Sequence, residues 1–228
     1  MTKRRPDYSG QTIHILNRRV DRRTLYHCDD DYEDYQDLLC TSVHKHDLNI
    51  LEWVLMPNHW HMIVVPKTKF QVSNFMQSLS AKHAKSVRIK TETVGNGSVY
   101  QDRFKAFPVK PGIHLHRLRT YLAMNPVKAN LVINPIDWKW GSAKRVRRDS
   151  PLSIVPLAPG PEPHHPNLVN LLTTPLKLTP SQAVRLIESL ERGVPYGDDD
   201  WTEHMIEKHG LEYTRTNAGR PKSTASKT

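Results

Sequence analysis

With 228 residues, a formal charge of +10 and a pI near 9.6, the chain has room for one sizeable domain plus an appendage. Its excess of base favours a polyanionic partner over a neutral one. No apolar run approaches membrane-spanning length, and Cys28 and Cys40 stand in no metal-ligand spacing, so neither a membrane-spanning helix nor a cysteine-built metal site is expected.

The N-terminal Met-Thr-Lys-Arg-Arg-Pro lacks the apolar stretch of a secretory signal, and the two thiols read as reduced; a cytoplasmic location is expected. Thr12 to Arg18 reads as a strand, because Ile13 and Ile15 are β-branched and alternate with polar neighbours. Asp31 to His46 reads as a helix with acidic residues in its first turns, where they suit the dipole. Ile50 to Met56 is a strand, Pro57-Asn58 a tight turn, and His59 to Val65 the returning strand. Phe70 to Lys90 carries Phe75, Leu79, His83 and Val87 at one-turn spacing and reads as a long helix. After the Gly95-Asn96-Gly97 loop, Tyr100 to Val109 holds a short strand, ended by Pro111-Gly112, and Ile113 to Met124 is a second long helix. The order is β-α-β-β-α-β and then a helix. That is the α+β, ferredoxin-like βαββαβ pattern, an antiparallel sheet with the catalytic helix after the last strand.

Prolines then recur from Pro151 to Pro166, reading as a stiff linker rather than a core element. A helix follows Thr179-Pro180-Ser181-Gln182 (threonine N-cap, proline at N1, glutamine at N3) and stops before Gly193. Another begins at Asp200 and ends at Gly210, and Tyr213 to Thr228 reads as a disordered polar tail. The expected organisation is a catalytic domain at 1–150, a linker at 151–178, a small helical C-terminal extension at 179–212 and a basic tail at 213–228.

Chemistry concentrates at two places. In the strand after Met56-Pro57-Asn58, His59 and His61 point to one face, about 7 Å apart along the chain, and two imidazoles there make half of a metal site. On the later helix, Tyr121 shares a face with Arg117, Leu118 and Asn125. A phenol, an arginine and an amide beside two histidines suit phosphoryl transfer, with Tyr121 as nucleophile. A free tyrosine titrates near pH 10, so cations must lower that value or a base must take the proton. Tyr121 alone would read as an amphipathic core residue with its hydroxyl at the rim. Asn125, ahead of Pro126, reads equally well as a metal ligand or as the cap of a new turn at Pro126 to Asn130. His14 and His83 read as structural, His114 and His116 as surface residues, and Trp60 as core.

Lys82, Lys85 and Arg88 fall three apart on one helix and could track a phosphate backbone; Arg103, Lys105, Arg117 and Arg119 lie nearer the proposed site, and Gln101 is a further candidate contact. Arg220, in Gly219-Arg220-Pro221-Lys222, has the form of a minor-groove hook or of a solvated tail.

Several blocks carry a resemblance. Met56-Pro57-Asn58-His59-Trp60-His61 is similar to the MPNHxH signature of single-tyrosine HUH transposases, and more narrowly to REP-associated tyrosine transposases, relatives of small insertion-sequence transposases. Tyr121 to Val132 resembles their YxxxNPxxAxLV block, Tyr100 to Phe107 their YQxRFKxF segment, and Asp137 to Ser142 their W-x-W-S-S motif. Gly141, Asp102 and Thr120 depart from the usual serine, glycine and arginine. The resemblance implies the same fold, with His59 and His61 binding Mg²⁺ or Mn²⁺ and Asn125 as third ligand. It also implies that Tyr121 attacks hairpin or palindromic single-stranded DNA to leave a 5′-phosphotyrosine and a free 3′-hydroxyl. The expected function is therefore metal-dependent strand cleavage and transfer. The alternatives are a host-adapted, non-catalytic binder of repeated palindromes and a histidine–metal hydrolase. Monomer or homodimer stays open.

Overall fold

Side-chain alternation along four strands sorts the apolar residues into two cores. The computed structural model describes residues 5–95, 97–146, 155–160, 170, 174 and 177–215. Strands β1 (Ile13–Arg18), β2 (Asn49–Met56), β3 (His59–Val65) and β4 (Lys105–Pro108) form one antiparallel sheet in the order β2-β3-β1-β4. Helices α1 (Asp29–His46), α2 (Gln71–Lys90) and α3 (Ile113–Lys128) complete the ferredoxin-like order read from the sequence. Two more, α4 (Pro180–Arg192) and α5 (Asp199–His209), follow.

One face of the sheet presents Ile13, Ile15, Trp53, Leu55, Trp60, Met62 and Val64 to α1 and α2, which contribute Tyr35, Leu39, Phe75 and Leu79. Trp60 is fully buried there, as its alternation away from the histidines requires. The other face presents Leu16, Val54, Ile63 and Phe107 to α3, through Leu115, Leu118 and Leu122, and to Leu186 and Tyr196 of the C-terminal region. The extension is thus packed onto the sheet domain rather than tethered to it. Residues 194–197 form a bridge from Tyr196 to Val109, with reciprocal backbone bonds to Pro108 and Lys110 of 2.9 Å each.

Several boundaries move. Helix α1 starts two residues early, since Asp29 and Asp30 join Asp31 in its first turn. The strand expected at 100–109 pairs continuously only from Lys105; Tyr100 makes an isolated bridge to Arg19. Helix α3 continues through Pro126 and ends with Asn130 in the left-handed region, φ 56°, while Leu131 N–H reaches the Pro126 carbonyl at 2.9 Å. No new turn therefore begins at Pro126. Helix α5 begins at Asp199, one residue before the expected Asp200, and is capped by Asp198, whose carboxylate accepts from Trp201 N–H. Within the proline-rich segment Val155 is fully buried and Ala158 N–H bonds the Ile50 carbonyl at 2.8 Å, so that stretch adds to the core rather than only linking. Residues 212–214 form a short turn with Thr214 buried, so order extends past the expected start of the tail.

Candidate active site

The register of three strands brings the chemistry to one end of the sheet. Arg18 pairs with His59 and Leu16 with His61 across β1 and β3, so these side chains emerge together on the α3 face. They open into a basin of about 400 Å³. Its floor is Leu16, Asn17, Arg18, His59 and His61; α3 supplies Tyr121 and Asn125 on one side. Gln101, Asp102 and Lys105 border it on another, and α4 closes it with Ile187, Leu190 and Glu191. The Lys105 ammonium donates to the Glu191 carbonyl at 2.7 Å, tying β4 to α4 across the rim.

The imidazoles of His59 and His61 lie 5.0 Å apart between ring centroids, and the Tyr121 ring lies 6.1 Å from His61 at 87°. His59 Nδ1 donates to the Asn58 amide oxygen at 2.6 Å, which leaves Nε2 with its lone pair. His61 Nδ1 is 3.0 Å from His14 Nε2, both rings buried. Burial lowers the His59 pKa to about 4, with Arg18 adding to the effect, and that of His14 to about 3. It also holds His61 well below the usual histidine range, helped by His14, His59 and Arg18. All three are neutral at pH 7, the form in which an imidazole ligates a cation.

Asn125 shows why the helix survives Pro126. A proline removes the N–H that would bond the Leu122 carbonyl. The Asn125 amide turns back instead, donating to Tyr121 O at 2.9 Å and approaching Leu122 O at 3.5 Å. This spends Nδ2 on the backbone and leaves Oδ1 as the free polar atom of a residue lining the basin. Two imidazole nitrogens and an amide oxygen make a three-donor set that suits a divalent cation such as Mn²⁺, with positions left for substrate oxygens. Among the described residues no three of His, Cys, Asp and Glu gather as a cation site; here the third donor is an amide.

Tyr121 is mostly buried, and burial raises its phenol above the ordinary value while Arg18 opposes the rise. Lys128, two turns on, sets its ammonium 4.7 Å from the centre of the Tyr121 ring.

Of the cations anticipated from sequence, Lys105 lines the basin. Arg119 does not: it is 3 % exposed and faces Glu52 at 3.4 Å, beneath α3. Two residues from Tyr121 is about 200° around a helix, which turns Arg119 into the core. Lys82, Lys85 and Arg88 sit on α2, across the sheet from the histidines, and Arg88 bonds the Gly97 carbonyl. Arg103 is exposed outside the basin, and Arg117 lies beside His114 and Tyr196, both half or more buried rather than free surface groups. Arg220 lies outside the described residues. Sequence reasoning missed Arg18 and the α4 wall; His14, read as structural, is buried behind His61. The alternation of β1 puts His14, Leu16 and Arg18 on one face, but only the pairing of β1 with β3 shows that this face is the histidine face.

The profile of the family described as "Transposase IS200 like" matches residues 7–125. A solved structure of a REP-associated tyrosine transposase bound to a REP hairpin superposes with a TM-score of 0.53 at 20 % identity, covering 70 % of this chain and 92 % of that one. At that identity the likeness is one of fold. A second solved structure, from Deinococcus radiodurans R1, gives a TM-score of 0.38 at 14 % identity, covering 57 % of this chain and 98 % of that one. No curated protein matches the sequence.

Proposed function

This chain belongs to the IS200-like transposase family, and from that premise we propose that it cleaves and rejoins single-stranded DNA through a covalent tyrosine intermediate. The observation that carries the reading is the shared basin: a phenol, two neutral imidazoles and an amide side chain open to one volume. The solved relative's REP hairpin supports a hairpin or palindromic repeat as the partner.

In this mechanism Tyr121 Oη attacks a backbone phosphorus. The new Oη–P bond gives a 5′-phosphotyrosine and the old P–O3′ bond breaks; the phenolic proton passes to solvent and the departing 3′-oxygen takes one up from solvent, so it leaves as a hydroxyl with no net proton change. His59, His61 and Asn125 would hold a divalent cation, which when bound supplies Lewis-acid polarisation of the phosphate. Arg18 lowers the cost of negative charge at Oη as the phenolic proton departs, and Lys105 offsets phosphate charge at the rim. Ile187 and Leu190 make that side of the basin apolar. Because a phenolate is also a competent leaving group, the 3′-hydroxyl of another strand can reverse the step, joining as well as cutting.

The test is incubation with single-stranded DNA from the flanks of the protein's own gene and Mn²⁺, resolved on a denaturing gel. A covalent protein–DNA band is expected, lost with chelator and lost in Tyr121→Phe while hairpin binding persists. A Tyr121→Phe protein that still forms the band overturns the assignment, and a wild-type protein that binds hairpins but never forms it favours a non-catalytic binder.

A further inference from the structure

We propose that His14 is a positioning residue: it accepts the Nδ1 hydrogen of His61 and so fixes that ring in the tautomer whose Nε2 lone pair faces the basin. The inference deepens the metal-dependent reading above and rests on it.

The two ligand histidines are oriented by different chemistry. His59 bonds an amide oxygen, which only accepts, so its hydrogen is held at Nδ1. His61 instead faces a second imidazole, His14, at 3.0 Å. One hydrogen lies between the two nitrogens, and either ring could own it. If it sits on His61 Nδ1, then His61 Nε2 is a ligand and the second hydrogen of the pair rests on His14 Nδ1. If it sits on His14 Nε2, then His61 carries its hydrogen on Nε2 and has no lone pair for a cation. His14 Nδ1 is buried with no hydrogen-bond partner among the described residues, so neither state is fixed from behind. What is fixed is the ring. His14 is 0 % exposed, and its face packs on Phe107 at 4.7 Å between centroids. The His14–His61 planes meet at 35° with 5.1 Å between centroids. When a cation takes the His61 Nε2 lone pair the shared hydrogen must sit on His61 Nδ1, and a rigid His14 Nε2 in that place is there to accept it, as outer partners of ligating histidines generally do.

The experiment uses the full-length protein and Mn²⁺. Calorimetric titration is expected to show His14→Leu binding Mn²⁺ 10–100-fold more weakly than wild type. His14→Gln, whose side-chain oxygen can accept from His61 Nδ1, should recover most of the loss. Cleavage by His14→Leu should shift to higher Mn²⁺ concentration with hairpin affinity unchanged. Should the leucine variant fail to fold, ¹⁵N imidazole shifts of the metal-free wild-type protein decide: the hydrogen on His61 Nδ1 upholds the proposal, and the hydrogen on Nε2 overturns it. Equal Mn²⁺ affinity in folded His14→Leu and wild type also overturns it. A wild-type protein that binds no Mn²⁺ removes the underlying reading instead, and the two failures are thereby separate.

Discussion

Arg18 faces the basin with its Nε buried and without a hydrogen-bond partner among the described residues, and its charge offsets part of the cost that burial imposes on a Tyr121 phenolate. A guanidinium so placed is available for a phosphate oxygen. Arg18→Ala should slow adduct formation on the order of 10²-fold, the usual effect of losing one charge-stabilising donor. It should not weaken Mn²⁺ binding, because it removes a positive charge from beside His59 and His61. An unchanged cleavage rate would remove Arg18 from the reaction. At this scale spacing shows that His59 and His61 share a strand face and that Tyr121 and Asn125 share a helix face, but only the fold brings the two faces to one basin. Arg18 is not legible from spacing, because its role depends on which strand pairs with which. Arg119 is an error the sequence could have prevented: a residue two positions from Tyr121 faces away from it.

Among the elements, β2 carries an irregularity between Ile50 and Glu52 that leaves a carboxylate in the interior, 3 % exposed. Arg145 grips it through two bonds of 2.7 Å, the Ser142 hydroxyl donates at 2.7 Å, and Arg119 of α3 stands 3.4 Å away. This cluster fastens α3, and with it Tyr121 and Asn125, to the sheet that holds the histidines. Glu52→Ala leaves a buried guanidinium uncompensated and should cost about 3–5 kcal/mol, read as a lower urea midpoint. A loss below about 1 kcal/mol would show that the pair contributes little to docking α3. Element types and order were readable because amphipathic periods are long in α1, α2 and α3. The end of α3 was not: proline normally marks a boundary, and here the helix runs through it, with the Asn125 amide bonded to Tyr121 O at 2.9 Å and near the bereft Leu122 carbonyl at 3.5 Å.

For the molecule as a whole, burial of neutral histidines ties stability to pH. His14 and His83 titrate near 3 when folded, against about 6.5 unfolded. Below pH 6.5 the unfolded chain takes up protons that the folded one refuses, so stability rises with pH through that window. Each group should remove about 2 kcal/mol between pH 7 and pH 5, the loss ending only near its folded value. Urea unfolding of chelator-treated protein at the two pH values checks this; a flat profile would mean these rings are protonated in place. The two-faced sheet was legible at this scale, and no helix among the described residues is long and apolar enough to cross a membrane. The seating of the extension was not legible, since proline spacing describes a stiff segment without saying what it leans on.

That seating has a bearing on how the protein comes into being. The family profile ends at residue 125, yet Ile187, Leu190 and Glu191 form the far wall of the basin. On the ribosome the imidazoles and the phenol therefore emerge well before the helix that borders them. A growing chain passes through a stage with His59, His61 and Tyr121 made and the basin still open on one flank.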